Sequence, residues 1–418
     1  VTNYYQSVYE TDSTVLVLKN SYKELLAFYR VNIITGEEKK LHTVGYLDNP
    51  RFSYAQGKLL WSEFRHDKRR WNKGYSIIKE YELGSIFSDE LTQETNYFSP
   101  AFSPDAKKIA VVEYTPSQQC SIHLLNASKG YKNDSVIPAL CFGDSLFAST
   151  PTFSDDGKSL VFILKKTDKL ALFEYYFLQD SLIQLTDYTS NTITNPVVKN
   201  GKVYFSSSIG GQDDIFCLNK SDKTIARVTD SRVGAYYPSL SPNGKQLLFS
   251  NYTLQGFDLQ LLNLNETLAL ISTVVEPVNE DYYASQIFST PHNLTDSVVT
   301  TPYELTKYNR KAHMLNLHSW GPTVAGFNTG VEIYSDNILN NTSVLAGMYY
   351  NYYNQLPYAR ASVYYGGLNP VIYFQYTHLF ANEANQQIIE PGILFPFDSS
   401  TPRKAKSLTF QAGLLFQN

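Results

Sequence analysis

The sequence predicts an all-β protein: a six-bladed β-propeller followed by antiparallel barrel-type strands. Three observations carry that prediction. One proline-centred pattern recurs five times in the first 280 residues. Between its copies lie β-branched and aromatic runs separated by polar turn residues. From Gly321 onward the pattern stops, charge thins out, and apolar and polar residues alternate.

The copies begin at Asn49-Pro50, Ser99-Pro100, Thr150-Pro151, Asn195-Pro196 and Tyr237-Pro238, so their prolines stand 50, 51, 45 and 42 residues apart. Internal similarity at such a period marks a repeat architecture. The fullest copy, Tyr237-Pro-Ser-Leu-Ser-Pro-Asn-Gly-Lys-Gln-Leu-Leu-Phe249, predicts a β-hairpin. Proline is expected to open its first strand, where a missing N–H does little harm. Ser241 to Gly244 fits a type I turn with proline second and glycine last, the glycine supplying a positive φ. Ala106 holds that slot in the second copy, where a left-handed conformation costs on the order of 1 kcal/mol. Two more strand-like runs follow each hairpin, as in residues 212–218 and 224–229. Four strands in about 45 residues make one propeller blade. Residues 13–18 and 24–29 supply an earlier blade without the proline, making six over residues 1–280, with a joint over 281–320. A seventh unit around residues 296–299 is a weak match.

The pattern Pro-x-Phe-Ser-Pro-Asp/Asn-Gly-Lys, with Leu91-Thr92, Leu185-Thr186 and Val228-Thr229 closing blades, resembles the TolB-type propeller repeat over about two-thirds of the chain. The resemblance implies the fold. It leaves function open, because that repeat serves periplasmic scaffolds, tricorn-like proteases and the propellers of prolyl oligopeptidases alike.

Residues 321–418 hold four basic and five acidic residues, nine in all, against 65 in the preceding 320. Within residues 407–417, Leu408, Phe410, Ala412, Leu414 and Phe416 fall on one face. Ser407, Thr409, Gln411, Gly413 and Gln417 fall on the other, with Leu415 as the exception. Period-two segments of about ten residues with few charges are the pattern of outer-membrane barrel strands. Residues 342–353, 358–365 and 370–377 are similar, and Tyr349, Tyr350, Tyr352, Tyr353, Tyr358, Tyr364 and Tyr365 suit an interfacial aromatic girdle. A soluble β-sandwich with a polar, uncharged surface is the alternative. About six strands fit before Asn418, fewer than the eight of the smallest barrels, so the sequence is expected to stop inside the barrel. Residues 302–320 and 61–78 resemble segments of Bacteroidota-type outer-membrane proteins with a TolB-like propeller. Several members of that group carry a metallopeptidase-like domain before the propeller, and no residue here matches one.

Composition excludes several classes. With 35 Lys+Arg against 39 Asp+Glu and a net charge of −4, a nucleic-acid partner is disfavoured. An aromatic content of 14% rules out disorder. No run approaches the ~18 apolar residues of a membrane-spanning helix. The start, Val1-Thr-Asn-Tyr-Tyr, lacks signal-peptide features, so the chain is read as mature or as beginning partway through a longer one. Cys120, Cys141 and Cys217 show no metal spacing and are expected as buried thiols, with a Cys120–Cys141 bridge left open. Gly-x-Ser-x-Gly, His-Glu-x-x-His and phosphate loops are absent, so no catalytic residue, metal ligand or cofactor is expected.

Two groups of candidate binding residues remain. Arg65, Lys68, Arg69, Arg70 and Trp71 fall between the middle strands of the second blade, where they suit an anionic partner or a protein interface. A solvated hairpin is the plainer account of them. Asp48, Asn49, Asn195, Tyr236 and Tyr237 precede motif prolines and are expected at one end of the innermost strands, converging on the channel mouth. The functional expectation is a non-enzymatic scaffold of the bacterial outer membrane. Its C-terminal strands would enter the lipid bilayer, and its periplasmic propeller would dock other envelope proteins. An accessory propeller of a membrane-anchored peptidase and a soluble ligand-binding propeller with a β-sandwich are the alternatives.

Overall fold

The computed structural model describes residues 1–47, 49–66, 74–115, 119–126, 134–143, 146–264, 304, 309, 314–368, 370–380, 386–397, 406–411 and 414–417. It divides into two compact units, Val1–Phe64 with Ser76–Asn293, and Arg65–Tyr75 with Leu294–Asn418.

The first unit contains six antiparallel sheets, each a meander in chain order. The first sheet holds β1 (Thr2–Tyr9), β2 (Thr14–Ser21), β3 (Ala27–Asn32) and β4 (Glu38–Thr43). The second holds β5 (Ser53–Ala55), β6 (Lys58–His66), β7 (Gly74–Glu82) and β8 (Asp89–Glu90). The third holds β9 (Tyr97–Phe102), β10 (Lys108–Tyr114), β11 (Cys120–Asn126) and β12 (Asp134–Phe142). The fourth holds β13 (Leu146–Phe153), β14 (Ser159–Lys166), β15 (Lys169–Tyr176) and β16 (Ser181–Gln184). The fifth holds β17 (Ile193–Lys199), β18 (Lys202–Ser207), β19 (Asp214–Asn219) and β20 (Ile225–Arg227). The sixth has β21 (Gly234–Leu240), β22 (Gln246–Thr253) and β23 (Gly256–Asn263) among the described residues.

The repeated residues make the turns they predict. The carbonyls of Ser103, Ser154 and Ser241 accept the N–H groups of Ala106, Gly157 and Gly244 at 2.8, 3.0 and 2.8 Å. The same serine hydroxyls accept the N–H groups of Lys108, Ser159 and Gln246 at 2.9, 3.0 and 2.9 Å. They donate in turn to Asp105, Asp156 and Asn243. Gly157 and Gly244 take φ of 69° and 70°, and Ala106 accepts the left-handed strain at 55°. The closing Leu-Thr pair also has a physical role. Leu91, Leu185 and Val228 donate to the carbonyls of Ile78, Leu172 and Ile215, each at 2.8 Å. The hydroxyls of Thr92, Thr186 and Thr229 then accept the N–H of those same residues, each at 2.9 Å. The pair adds a rung after the fourth strand has ended.

The prolines do not open strands. Pro100, Pro151, Pro196 and Pro238 lie inside β9, β13, β17 and β21, each at a break in register. The residue before each is left-handed: Ser99, Thr150, Asn195 and Tyr237 have φ of 49°, 47°, 51° and 54°. A bulge holds one residue outside the ladder, so a proline there forfeits no ladder bond. The strand therefore continues on both sides of it.

Six hydrophobic clusters join the sheets. Leu18 and Phe28 pack with Phe52 and Trp61, Leu60 and Ile78 with Ile109 and Val111, and Val112 and Ile122 with Leu160 and Phe162. Val161 and Leu172 pack with Phe205 and Phe216, and Ile215 and Cys217 with Leu247 and Phe249. In the sixth cluster Leu248 of the last sheet meets Val15, Val17 and Val31 of the first. An open row of six sheets would share five clusters, so the row returns to its start. Ser250 also donates to the carbonyl of Tyr5, and the Phe257 N–H to Asn3 Oδ1 at 3.2 Å.

The second unit is one antiparallel sheet. Its strands are β24 (Leu317–Ala325), β25 (Asn328–Asp336), β26 (Thr342–Asn351), β27 (Leu356–Tyr365), β28 (Val371–Leu379), β29 (Gln386–Phe397) and β30 (Lys406–Gln411), with β31 (Leu414–Gln417) also pairing β29. That is eight strands rather than about six, because the first begins ahead of Gly321 and the early turns are short.

Replacing Thr229 by valine removes the acceptor for the buried Ile215 N–H. Urea unfolding should show a loss of about 1–3 kcal/mol. Thr224→Val, in an exposed turn where the hydroxyl bonds only to Asp222, should cost under about 0.5 kcal/mol.

Candidate functional site

The first strands of successive sheets lie side by side, β9 on β5 and β13, β17 on β13 and β21, and β21 on β1. Gln6 in β1 completes the circuit by two hydrogen bonds to the Phe52 backbone, donating to its carbonyl at 2.8 Å and accepting from its N–H at 2.7 Å. These strands surround an axis, and Arg51 reaches across it. Its Nη2 donates to the carbonyl of Pro151 at 3.3 Å, from the second sheet to the fourth and past the third. Its Nη1 is buried and has no protein acceptor. Burial holds the guanidinium down to about 10, and only Tyr237 of the sixth sheet pulls the other way. The Tyr237 hydroxyl is itself pushed up to about 12 by burial, with Arg51 opposing. Arg51 and Tyr237 nevertheless keep some accessible surface. Thr150, next to Pro151, has a buried hydroxyl that likewise lacks a partner.

The buried carboxylates of this unit are satisfied. Glu63 accepts from Trp61 Nε1 at 2.8 Å and Gly45 N–H at 2.9 Å, with Lys79 Nζ at 3.7 Å. Glu174 is bonded by Ser159, Tyr176 and Lys220, and Asp214 by Arg227, Thr229 and the Ser231 N–H. Against that background the half-buried guanidinium of Arg51 bonds no carboxylate among the described residues.

The residues expected at the channel mouth are placed differently from one another. Asn49 is exposed ahead of β5, and Asn195 is half-buried in the bulge of β17. Tyr236 is tied sideways, donating to Asp213 Oδ2 at 2.8 Å and resting edge-on against Phe257. Burial first and then Asp213 raise its hydroxyl above the usual tyrosine range. Asn195, Tyr236 and Tyr237 sit within strands rather than at strand ends, because each strand runs on past its bulge. Arg65 is half-buried near the end of β6. Asp48, Lys68, Arg69, Arg70 and Trp71 lie outside the described residues, as does the seventh unit near residue 296. Sequence reasoning passed over Arg51. The signal was a charge directly after the motif proline, where the other copies carry Ala101, Thr152, Val197 and Ser239.

All three cysteines are free. Cys120 and Cys217 are buried as expected, but Cys141 is exposed. Cys120 is not bridged to Cys141; its Sγ accepts the Ala148 N–H of the next sheet at 3.2 Å. Among the described residues no three His, Cys, Asp or Glu side chains cluster as a metal site.

Residues 87–277 match the family model of the TolB beta propeller domain, PD40. The chain contains a TolB-like propeller domain. Domains of this type are typically periplasmic. An uncharacterized protein of Agrobacterium fabrum is 36% identical over 56 residues, which are 13% of this chain and 19% of that one. The chain thus spans about a fifth of that relative's length. Among solved structures, an oligogalacturonate lyase in complex with manganese is 14% identical, covering 64% of this chain and 92% of its own, with a TM-score of 0.46. TolB from Acinetobacter baumannii is also 14% identical, covering 85% and 77%, with a TM-score of 0.41. No helix among the described residues is long and apolar enough to cross a membrane.

The left-handed β-branched residue before Pro151 is strained by about 1–3 kcal/mol. Glycine relieves that at an entropic cost of roughly 0.5–1 kcal/mol. Thr150→Gly should therefore raise stability by about 1 kcal/mol in urea unfolding. A loss of stability would show the bulge to be unstrained.

Proposed function

We propose that the six sheets form a six-bladed TolB-like propeller and that β24–β31 belong to an outer-membrane β-barrel. In this reading the propeller stands in the periplasm as a non-enzymatic docking disc for other envelope proteins. The division of the second unit's sheet into two chemically opposite faces supports it.

Cross-strand register puts Trp320 with Ile333, Val331 with Met348, Val363 with Phe374, and Ile372 with Ile393 on one face. That face is exposed, with Val324 at 80% and Trp320 at 74%. Glu332, Tyr349, Tyr358, Arg360, Ser362, Gln375, Thr377 and Glu390 share the other face. Several of its groups bond one another, although Arg360 Nε has no acceptor among the described residues. Tyr349 donates to Glu332 at 2.8 Å, Tyr373 to Gln375 at 2.7 Å, and Gln375 to Glu390 at hydrogen-bond distance. Arg360 lies over the stacked rings of Tyr349 and Tyr358. Gly347 makes room for this layer, since a Cβ there would come within 2.8 Å of the Tyr349 ring.

In water so large an apolar face drives association. Hydrocarbon solvates it at no cost, and a polar, internally hydrogen-bonded inner face suits a barrel lumen. The first six strands are 9 to 12 residues long, close to the ~9–11 that span a bilayer. A β-sandwich would have buried Trp320 and Val324. For docking, the supports are the TolB-like domain itself and the basic, tryptophan-bearing segment Arg65, Lys68, Arg69, Arg70 and Trp71.

Met348→Arg puts a charge on the apolar face and should cost about 2–4 kcal/mol of folding into lipid vesicles, while Gln375→Arg on the polar face should cost little. Equal effects, or full extraction of the chain without detergent, would sink the membrane reading. Changing Arg69 and Arg70 to Glu should lower partner recovery in a pull-down; unchanged recovery removes that segment from the docking surface.

A further inference from the structure

The start of β24 carries a serine and a histidine that join a carboxylate of β25 in one hydrogen-bonded row. The ladder between β24 and β25 breaks register between Leu317 and Ser319, which leaves His318 as an extra residue in a bulge. A bulge interrupts the alternation of side chains, so two consecutive residues can meet. The Ser319 hydroxyl lies 2.9 Å from His318 Nδ1, and His318 Nε2 lies 3.1 Å from Asp336 Oδ2. Asp336, the last residue of β25, is also bonded by Ser343 of β26. The Asn316 N–H donates to Ser335 Oγ at 2.8 Å and pins the approach to β24 against β25 beside this row.

The carboxylate fixes the histidine tautomer. An ionised Asp336 only accepts, so Nε2 carries the proton and Nδ1 is the base that faces the serine hydroxyl. Serine, base and orienting carboxylate in that sequence activate a nucleophile, here with the two ring nitrogens exchanged relative to the usual serine triad. The third sheet supplies a contrast. There Ser121 Oγ and Glu113 Oε2 both meet His123 at Nε2, each at 2.9 Å, and one nitrogen cannot relay a proton between them. Ser319 and His318 are exposed, with Asp336 half-buried behind them, so a substrate can reach the hydroxyl. His318 and Ser319 also border a hollow of about 440 Å³ whose other walls are Leu317, Trp320, Val331 and Ile333. Apolar walls beside an activated hydroxyl suit an apolar acyl group.

We infer that Ser319, His318 and Asp336 form a serine-nucleophile site that hydrolyses carboxylic esters with an apolar acyl group. Ser319 Oγ adds to the ester carbonyl carbon as its proton passes to His318 Nδ1. The imidazolium, steadied by Asp336, returns that proton to the leaving alkoxide, and the acyl group stays on Ser319. Water then adds in the same way, its proton passing through Nδ1 to Ser319 Oγ as the carboxylic acid departs. Asp336 acts through His318 and is a positioning residue. The inference concerns the second unit alone and does not rest on its apolar face meeting lipid.

The full chain in non-ionic detergent, treated with an alkyl fluorophosphonate and mapped by mass spectrometry, tests the nucleophile. An O–P bond should form at Ser319 with loss of fluoride, and an unlabelled Ser319 in the parent protein overturns the inference. Release of p-nitrophenolate from p-nitrophenyl octanoate and acetate tests the reaction. The octanoate should be favoured at least about tenfold in kcat/KM, the worth of about two buried methylenes, and equal values overturn the acyl assignment. Ser319→Ala should abolish the label, and His318→Gln should lower turnover by about 10²–10⁴, the usual worth of a general base. Asp336→Asn should lower turnover and move the acid limb of the pH–rate profile to lower pH, since the imidazolium loses its carboxylate. A merely structural Asp336 would leave that limb in place. Turnover by Ser319→Ala equal to the parent's also overturns the inference.

Discussion

A sheet whose middle strands are buried on both faces needs a neighbour on each side. That requirement organises the first unit. In β14 every residue from Ser159 to Leu164 is buried, and β2, β10, β18 and β22 carry similar runs. Val161 and Ile163 serve one cluster while Leu160, Phe162 and Leu164 serve the next. With apolar side chains on both faces, no sheet can end the row without leaving a face in water, and the row must close. Continuous apolar strands rather than alternating ones are the sequence expression of that demand.

Closure fixes what lies at the centre. The first strands meet around an axis, and the left-handed residues before their prolines sit in the bulges of those strands. The axial residues therefore come from the irregular part of each repeat, while the regular part makes the walls. Arg51 belongs to the irregular part: it stands just ahead of the short β5, which starts only at Ser53.

Much of this was legible in the sequence because its causes are local. The serine turns close over three residues, and each closing threonine reaches an N–H only 14 residues back. The proline bulges were not legible, since nothing in Gly234-Ala-Tyr-Tyr-Pro distinguishes a lead-in from a strand. Arg51 escaped notice because its acceptor is 100 residues away. In the second unit the alternation was plain in β26 to β28. The start of β24 was hidden because residues 317–320 fell within the expected joint over 281–320. Both units thus yielded their periodic parts to inspection and kept back the residues whose partners are distant.

The first sheet takes all four of its strands from the start of the chain, so no strand is exchanged between it and the sixth sheet among the described residues. The two are joined by side-chain packing and a few isolated bonds, such as Asn243 to Asp12 at 3.4 Å. A seam of that kind parts without unzipping a ladder. Side-chain packing, rather than a shared strand, is what fastens the last sheet to the first.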